Sequence, residues 1–493
     1  MSASRIRLRF AFALLGSGFL AAAGGEAPIP WPHGDPPSPQ DIATSVDEAL
    51  RLAHRERFEE FTGAVSEFDD REHITIRQNE IDAQLYTPDD LFRFGDSLFT
   101  HEFRAIDGSG DPSLPQLRRV HSRLRGGSDT YSCAGCHSVG GLDGAGSLAQ
   151  NAFLNGDGEH LSSTNVRNAP PLLGVGFVQM LAEEMSASLA QIRDRALSRA
   201  LETNAPATLP LMAKDISFGS ITVTPEGVVD TSQIEGVDED LVIKPFAWKG
   251  TIAKLRRFAE EAARIHFGVQ SHVLAEQWKV KPDIEKLGSG PNWYDPDNDG
   301  IQREIEEGVL TAAAAYMTQL EVPVILPPYD AGLRQRWAHG QELFTTVGCA
   351  DCHREQLILD IFIFRDYPDT TGGPPVEFNI IAQGEKPRGN YNIRLFSDLK
   401  RHDMGPELAD AHDEPGSNIP RSVFLTRPLW GLAESAPYMH DGRATTIPDA
   451  ILAHGGDAQK ARDAFVDLDP EAQKDLHVFL LSLTREPRLG VLP

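Results

Sequence analysis

Cys133-Ala134-Gly135-Cys136-His137 and Cys349-Ala350-Asp351-Cys352-His353 are two copies of one pattern, Cys-x-x-Cys-His. The chain has four cysteines, and all four lie in these stretches. The pattern is the attachment signature of a c-type haem: two thiols add to the porphyrin vinyl groups, and the adjacent histidine reaches the iron from the proximal side. The two-residue spacer sets the thiols about one helical turn apart, which suits the separation of the vinyls. A zinc site of four cysteines would hold its two knuckles close in sequence, whereas these are separated by most of two domains. A thioredoxin-type pair would sit beside a strand-helix-strand pattern, and neither copy does. The spacing therefore predicts two covalently bound haem c groups, one on Cys133, Cys136 and His137 and one on Cys349, Cys352 and His353.

The N-terminus points to the same compartment as covalent haem attachment. Arg5, Arg7 and Arg9 form a basic region, Phe10 to Ala23 is apolar, and Ala21-Ala22-Ala23-Gly24 supplies small residues for cleavage. Residues 1–24 read as an export signal, too short to be a good membrane span, and a bacterial periplasm is the expected address. The formal net charge of −26 argues against nucleic acid and anionic lipid as partners. It favours a small neutral substrate or a basic redox partner, although solubility alone explains such acidity.

Outward from the two motifs the chain reads as mainly α. Residues 25–40 form a proline-rich linker, and apolar residues at helical spacing from Asp41 to Phe68 predict a long helix. Phe92, Phe94, Leu98, Phe99 and Phe103 lead to the first motif, and the glycine run 140–146 follows it. Helices are expected from Phe177 to Leu201, Ile252 to Val273 and Gln302 to Leu320, with a short β-hairpin between Ala213 and Ile243. Val322-Pro323 to Pro328 marks a linker, so the N-terminal haem domain is placed at 41–322 and the C-terminal one at 323–493. The second opens with a helix, Ala331 to Thr345, feeding into its Cys-x-x-Cys-His, an arrangement that resembles a small class I cytochrome c. Prolines 368, 374, 375 and 387 with Gly372-Gly373 make 366–390 a loop, and helices at 447–454, 458–466 and 470–483 close the chain.

A separate metal signal lies at Asp295-Pro296-Asp297-Asn298-Asp299-Gly300, with Ile301 seventh and Glu306 twelfth. Three carboxylates, a turn glycine, a backbone carbonyl and a bidentate glutamate satisfy the EF-hand calcium loop. The competing reading is an acidic turn that caps the helix after it. Pro291 and Trp293 argue against a full helix before it.

Ser397-Asp398-Leu399-Lys400-Arg401-His402-Asp403-Met404-Gly405-Pro406, Arg427-Pro428-Leu429-Trp430-Gly431-Leu432 and Tyr438-Met439-His440-Asp441-Gly442-Arg443-Ala444 through His454-Gly455-Gly456 resemble the di-haem oxidoreductase family, relatives of the bacterial di-haem cytochrome c peroxidases. The resemblance implies two cytochrome c-like domains with a catalytic N-terminal haem and a C-terminal haem that receives electrons. It implies His353 as proximal ligand of the C-terminal iron. In the peroxidases a methionine about fourteen residues after the motif histidine takes the sixth position; the same interval from His440 lands on His454. Two imidazoles lower the reduction potential relative to a thioether. Met439 and Met404 are the fallback ligands, and a surface histidine is the plain alternative. At the N-terminal iron the resemblance implies His137 as proximal ligand and, eight residues before Asn168, His160 as distal ligand or pocket residue, against an ordinary loop histidine. An interface calcium would take Asn168 and the carbonyls of Ser435 and Pro437. Arg443 would pair with a haem propionate, against an ordinary surface ion pair. Trp430 would line the second haem, as packing or as an electron relay.

A peroxidase needs an open position on one iron, a distal acid–base group and a second electron. Glu183 and Glu184 are the candidate acid–base residues, near Gln179, but solvated helix positions explain them equally well. The expected activity is reduction of hydrogen peroxide, or another small oxidant, with electrons from a small redox protein. Two other readings stay open: an electron-transfer cytochrome, and an oxidase of a protein or organic substrate acting through a high-valent di-haem state. A homodimer is open as the assembly.

Overall fold

The computed structural model describes residues 75–109, 130–137, 152–154, 161–273, 301, 304–369, 372–380, 391–414 and 417–484. The export signal, the proline-rich linker, the helix expected at 41–68, the glycine run 140–146, His160 and the loop aspartates Asp295, Asp297 and Asp299 fall outside these residues. Contacts join residues 70–486, with both Cys-x-x-Cys-His motifs, into one compact unit.

The described helices are α1 Gln78–Asp82, α2 Pro88–Thr100, α3 Val175–Thr203, α4 Leu255–Ala262, α5 Glu307–Thr318, α6 Ala331–Thr346, α7 Ile447–Ala453, α8 Gln459–Val466 and α9 Pro470–Leu480. Small antiparallel sheets of two or three strands sit among them. Helix α2 starts where its sequence says it should: Thr87 and Asp90 satisfy each other's backbone N–H groups, and Pro88 takes the first turn. Its buried stripe, Leu91, Gly95, Leu98 and Phe99, packs on α5. All of α5 except Ala313 is buried, which explains why it is apolar around its whole circumference rather than on one face.

A larger core surrounds α3 and α5, and a smaller one lies between α6 and α9. In the smaller core Phe344, Phe396 and Phe479 meet with ring centroids 5.4–6.1 Å apart. Helices α6 and α9 pack closely at Gly340, where a Cβ would stand 2.0 Å from the Asp475 carbonyl oxygen. Any side chain there would drive the helices apart.

Several expected boundaries move. The hairpin begins at Ala207, ahead of Ala213: Ala207–Ala213 pairs with Ile216–Val223, and Val229–Asp230 completes a three-stranded sheet. Pro210 and a register shift beside it disguised the first strand, which a sheet edge tolerates. Lys214 (φ 47°) and Asp215 (φ 62°) make the two-residue turn with the left-handed backbone that matches strand twist. The helix expected at Ile252–Val273 is α4 followed by a π turn, Ala263–Phe267, ending at Gly268. Helix α5 starts at Glu307, not Gln302, because Ile305 bridges to Ser271 and Glu306 becomes the N-cap. The loop expected at 366–390 contains a strand, Val376–Asn379, paired with Ile363–Asp366; Pro368, Pro374 and Pro375 lie in the connection, and Pro387 falls outside the described residues. The segment read as a linker also pairs, Val324–Ile325 against Leu483–Thr484, and so ties the start of the second half to its end.

Among the described residues no helix is long and apolar enough to cross a membrane.

Candidate functional site

The two motifs fold alike. Cys133–Gly135 and Cys349–Asp351 are each one 3-10 turn, and in each the histidine N–H donates to the first cysteine's carbonyl, 3.0 Å at His137 and 2.9 Å at His353. Ser132 caps the first turn through its hydroxyl, which accepts from Gly135 N–H. The second turn is reached from α6 through Gly348, at φ 101°, a conformation that lets the chain leave the helix sharply.

The second motif opens on a cavity of about 480 Å3, within the range of small-molecule and cofactor sites. Cys349, Cys352, His353, His402, Met404, Arg427, Trp430, Met439, His440 and His454 are in its wall. Nδ1 of His353 lies 2.9 Å from the Phe396 carbonyl oxygen, and Nδ1 of His454 lies 2.7 Å from that of Ala450. An imidazole that donates from Nδ1 to a carbonyl leaves Nε2 as the lone-pair nitrogen, the state an iron requires. Burial pushes His353 down to about 4, and the nearby His454 adds to this against the Phe396 carbonyl. His454 is lowered too, again by burial. Both rings are neutral at neutral pH.

The stretch around Ser397 shows why those residues are needed. Phe396 (φ 56°) and Leu399 (φ 55°) sit in the left-handed region, where a bulky residue is strained. The segment is held by Phe396 N–H to Glu355 O, Ser397 N–H to Arg354 O, Ser397 Oγ to Thr426 O and Leu429 N–H to Leu395 O. These bonds keep the Phe396 carbonyl aimed at His353. Beside it Asp398 accepts from His402 Nε2 at 2.8 Å, and His402 Nδ1 stands 3.8 Å from Cys352 Sγ. Burial alone would lower His402, but Asp398 and Cys352 outweigh it and raise it to about 10. Cys352, Asp398 and His402 present ligand atoms within 4.8 Å of one another, a trio that could hold a metal ion. The thiol, however, is one that the attachment signature consumes.

Trp430 is buried, donates Nε1–H to the Arg394 carbonyl at 2.8 Å, and lies against Gly174 at the start of α3. A Cβ at Gly174, which also has φ 68°, would stand 2.4 Å from the indole. The glycine lets α3 begin directly on the tryptophan. Nearby, Asn168 donates its backbone N–H to His440 O at 2.7 Å and its side-chain amide to Pro437 O, while Trp248 Nε1–H donates to Asn168 O. Asn168 and Pro437 are thus adjacent, and Ser435, two residues before Pro437, ends the 3-10 turn Leu432–Glu434. His440 stacks on Phe424 with centroids 4.3 Å apart, and burial pushes it down to about 4.

At the first motif His137 stands beside Phe99 of α2, centroids 6.4 Å apart. Its Nδ1 is buried without a hydrogen-bond partner of good geometry. Burial pushes His137 down to about 4; the charges of His266 and Arg427 add to the shift, and the Pro170 carbonyl opposes it. This ring is neutral as well.

Other expected residues are engaged elsewhere. Glu184 is a brace: Lys214 Nζ lies 2.6 Å from one oxygen, and the N–H groups of Asp360 and Ile361 donate to the other at 2.9 and 2.7 Å. Glu183 pairs with Lys254 and accepts from Gln179. Arg443 holds Asp441 at 2.6 Å and donates to the Glu407 carbonyl, and it is not in the cavity wall. Of the EF-hand-like loop only Ile301 and Glu306 are described, with Glu306 at the N-cap of α5. The sequence reading passed over Phe396, Asp398 and Arg427. All three lie inside quoted or adjoining stretches, but a backbone carbonyl and a buried unpaired charge leave no spacing signal.

No curated protein matches this chain. Among solved structures, the hydrazine synthase of Kuenenia stuttgartiensis pressurised with 20 bar xenon is similar at 16% identity, covering 93% of this chain and 96% of that one, with a TM-score of 0.36. A MauG-like protein associated with microbial copper homeostasis is similar at 15% identity over 54% of this chain and 79% of that one, TM-score 0.27. Scores this low decide nothing about the fold. Residues 313–483, which carry the second motif, the strained Ser397 stretch and His454, match the family model described as "Di-haem oxidoreductase, putative peroxidase".

Proposed function

We propose that the chain is an exported di-haem c-type oxidoreductase that reduces hydrogen peroxide at the N-terminal haem, with electrons delivered through the C-terminal haem by a small redox protein. The observation that carries this is the pair His353 and His454 in one cavity beside Cys349 and Cys352, each with Nδ1 on a carbonyl. Two such imidazoles suit an iron that only passes electrons. The donor set and cavity fit a haem there, and Cys133, Cys136 and His137 would hold the other. When bound, the haems supply an iron position for peroxide and a store for electrons; two electrons and two protons convert hydrogen peroxide to two waters.

The chain's own part is positional. The Phe396 and Ala450 carbonyls orient the two imidazoles and raise their basicity. Trp430 packs in the wall between α3 and the second cavity, where it could also relay electrons. Arg462 donates to the His454 carbonyl at 3.0 Å and fixes the end of α7. The domains at 41–322 and 323–493, each cytochrome c-like, are part of this reading, as is periplasmic export. Calcium would sit at Asn168, Ser435 and Pro437, and in the loop of Asp295, Asp297, Asp299, Ile301 and Glu306, with a structural role.

One observation favours a second reading, an electron-transfer cytochrome: Glu183 and Glu184 are committed to ion pairs, which leaves the proton donor unassigned. Peroxide consumption with a reduced small cytochrome or copper protein as donor separates the two. Turnover supports the peroxidase; electron uptake without peroxide consumption supports the cytochrome.

A further inference from the structure

Three described arginines of low exposure each hold a carboxylate, whereas the half-buried Arg427 does not. Arg167 holds Asp410 with a fork at 2.6 and 2.7 Å, Arg256 holds Asp366 at 2.8 Å, and Arg401 pairs with Asp238. Removing a guanidinium from water is expensive, and a carboxylate offsets that cost. Arg427 has none. Its Nη1 donates to the Pro245 carbonyl at 3.3 Å, its guanidinium lies 5.7 Å from the centre of the Trp248 ring, and its Nε is buried without a partner.

The side chain is nevertheless well placed. Leu425, two residues before, donates to the Trp248 carbonyl, and Leu429, two residues after, donates to that of Leu395. This anchored backbone puts Arg427 in the wall of the cavity that holds Cys349, Cys352 and His353. Its partial exposure is consistent with facing that cavity, for the surroundings are closed enough that burial lowers it to about 10, still charged at neutral pH. Its charge also reaches His137 of the first motif. An anchored cation with an unpartnered buried Nε, and with no carboxylate holding it among the described residues, calls for an anion from the occupant.

We infer that Arg427 binds a carboxylate of the porphyrin held by Cys349 and Cys352. The inference rests on the di-haem reading, and it moves to Arg427 the role expected of Arg443, whose guanidinium already holds Asp441. A free carboxylate anion has the same chemistry, so the test must tell the two sources apart.

The experiment is a spectroelectrochemical titration of both haems in the intact holoprotein, in wild type, Arg427→Met and Arg427→Lys, across neutral pH and with and without acetate. Removing a cation favours the ferric state, so in Arg427→Met the potential of the second haem falls. It also becomes pH-dependent, because the propionate left without its partner now titrates. Arg427→Lys keeps the charge without the fork; it gives a smaller shift in the same direction and decides the matter if the Met variant does not fold. Wild type is insensitive to acetate. Unchanged potentials and pH profiles in the variants overturn the inference, as does a wild-type potential that responds to acetate while Arg427→Met does not. Peroxide turnover plays no part in the readout, so a haem-loaded protein that fails to consume peroxide sinks the peroxidase reading and leaves this one standing.

Discussion

The two Cys-x-x-Cys-His motifs have the same turn and the same histidine-to-cysteine backbone bond, yet their surroundings differ. Around the second, the chain supplies a second imidazole, a carbonyl for each ring, and a strained segment bonded on both sides to hold one of those carbonyls in place. Around the first, the described residues supply a neutral His137, whose Nδ1 meets the Pro170 carbonyl without good hydrogen-bond geometry, and an aromatic neighbour. A c-type motif therefore specifies attachment and the proximal side alone. What each bound haem would do depends on residues far away in sequence, and among the described residues it is the second site that shows a second imidazole and a carbonyl for it.

The largest expected effect breaks the symmetry outright. Replacing Cys349 and Cys352 by alanine removes one haem of two, read by haem content and protein mass, and abolishes electron delivery while the haem on Cys133 and Cys136 stays attached. Next, His454→Met exchanges an imidazole for a thioether; the potential of the second haem rises in a redox titration and that of the first stays put. If the first moves instead, His454 belongs to the other site.

A third effect is smaller and depends on pH. His440 ionises near 6.5 when unfolded and near 4 when folded. Its folded value is depressed, so the stability it confers is complete above pH 6.5 and is lost as pH falls toward 4, by up to roughly 3 kcal/mol. Denaturant unfolding of wild type and His440→Gln should show a stability gap that narrows over that window. The smallest effect concerns Glu184→Gln, which weakens the Lys214 brace and costs about 1 kcal/mol with peroxide turnover intact. Lost turnover in a folded Glu184→Gln protein would return that residue to the catalytic machinery.

Much of this was legible in the chain. The haem motifs declare themselves by composition and spacing, and helices α3, α6 and α8 begin and end within two residues of where periodicity and breakers put them. His454 was singled out by an interval counted within a resemblance; it lines the same cavity as His353. Pairings between distant segments were not legible. Val324–Ile325 looks like a linker because its partner, Leu483–Thr484, is at the other end of the domain. Arg443 and Arg427 are the same letter in two quoted motifs, and only three-dimensional packing reveals that one has a carboxylate and the other has none among the described residues. Glu184 read as an acid–base candidate or a solvated helix position because its donors, Lys214 and the backbone at 360–361, come from two other elements.

The inequality of the two sites is tested most directly by optical and EPR spectra of the half-reduced protein, before and after added peroxide. The predicted result is one low-spin haem, with His353 and His454 on its iron, and a high-spin ferric signal from the haem of His137 that changes on adding peroxide. Two low-spin signals, both unmoved by peroxide, would contradict it.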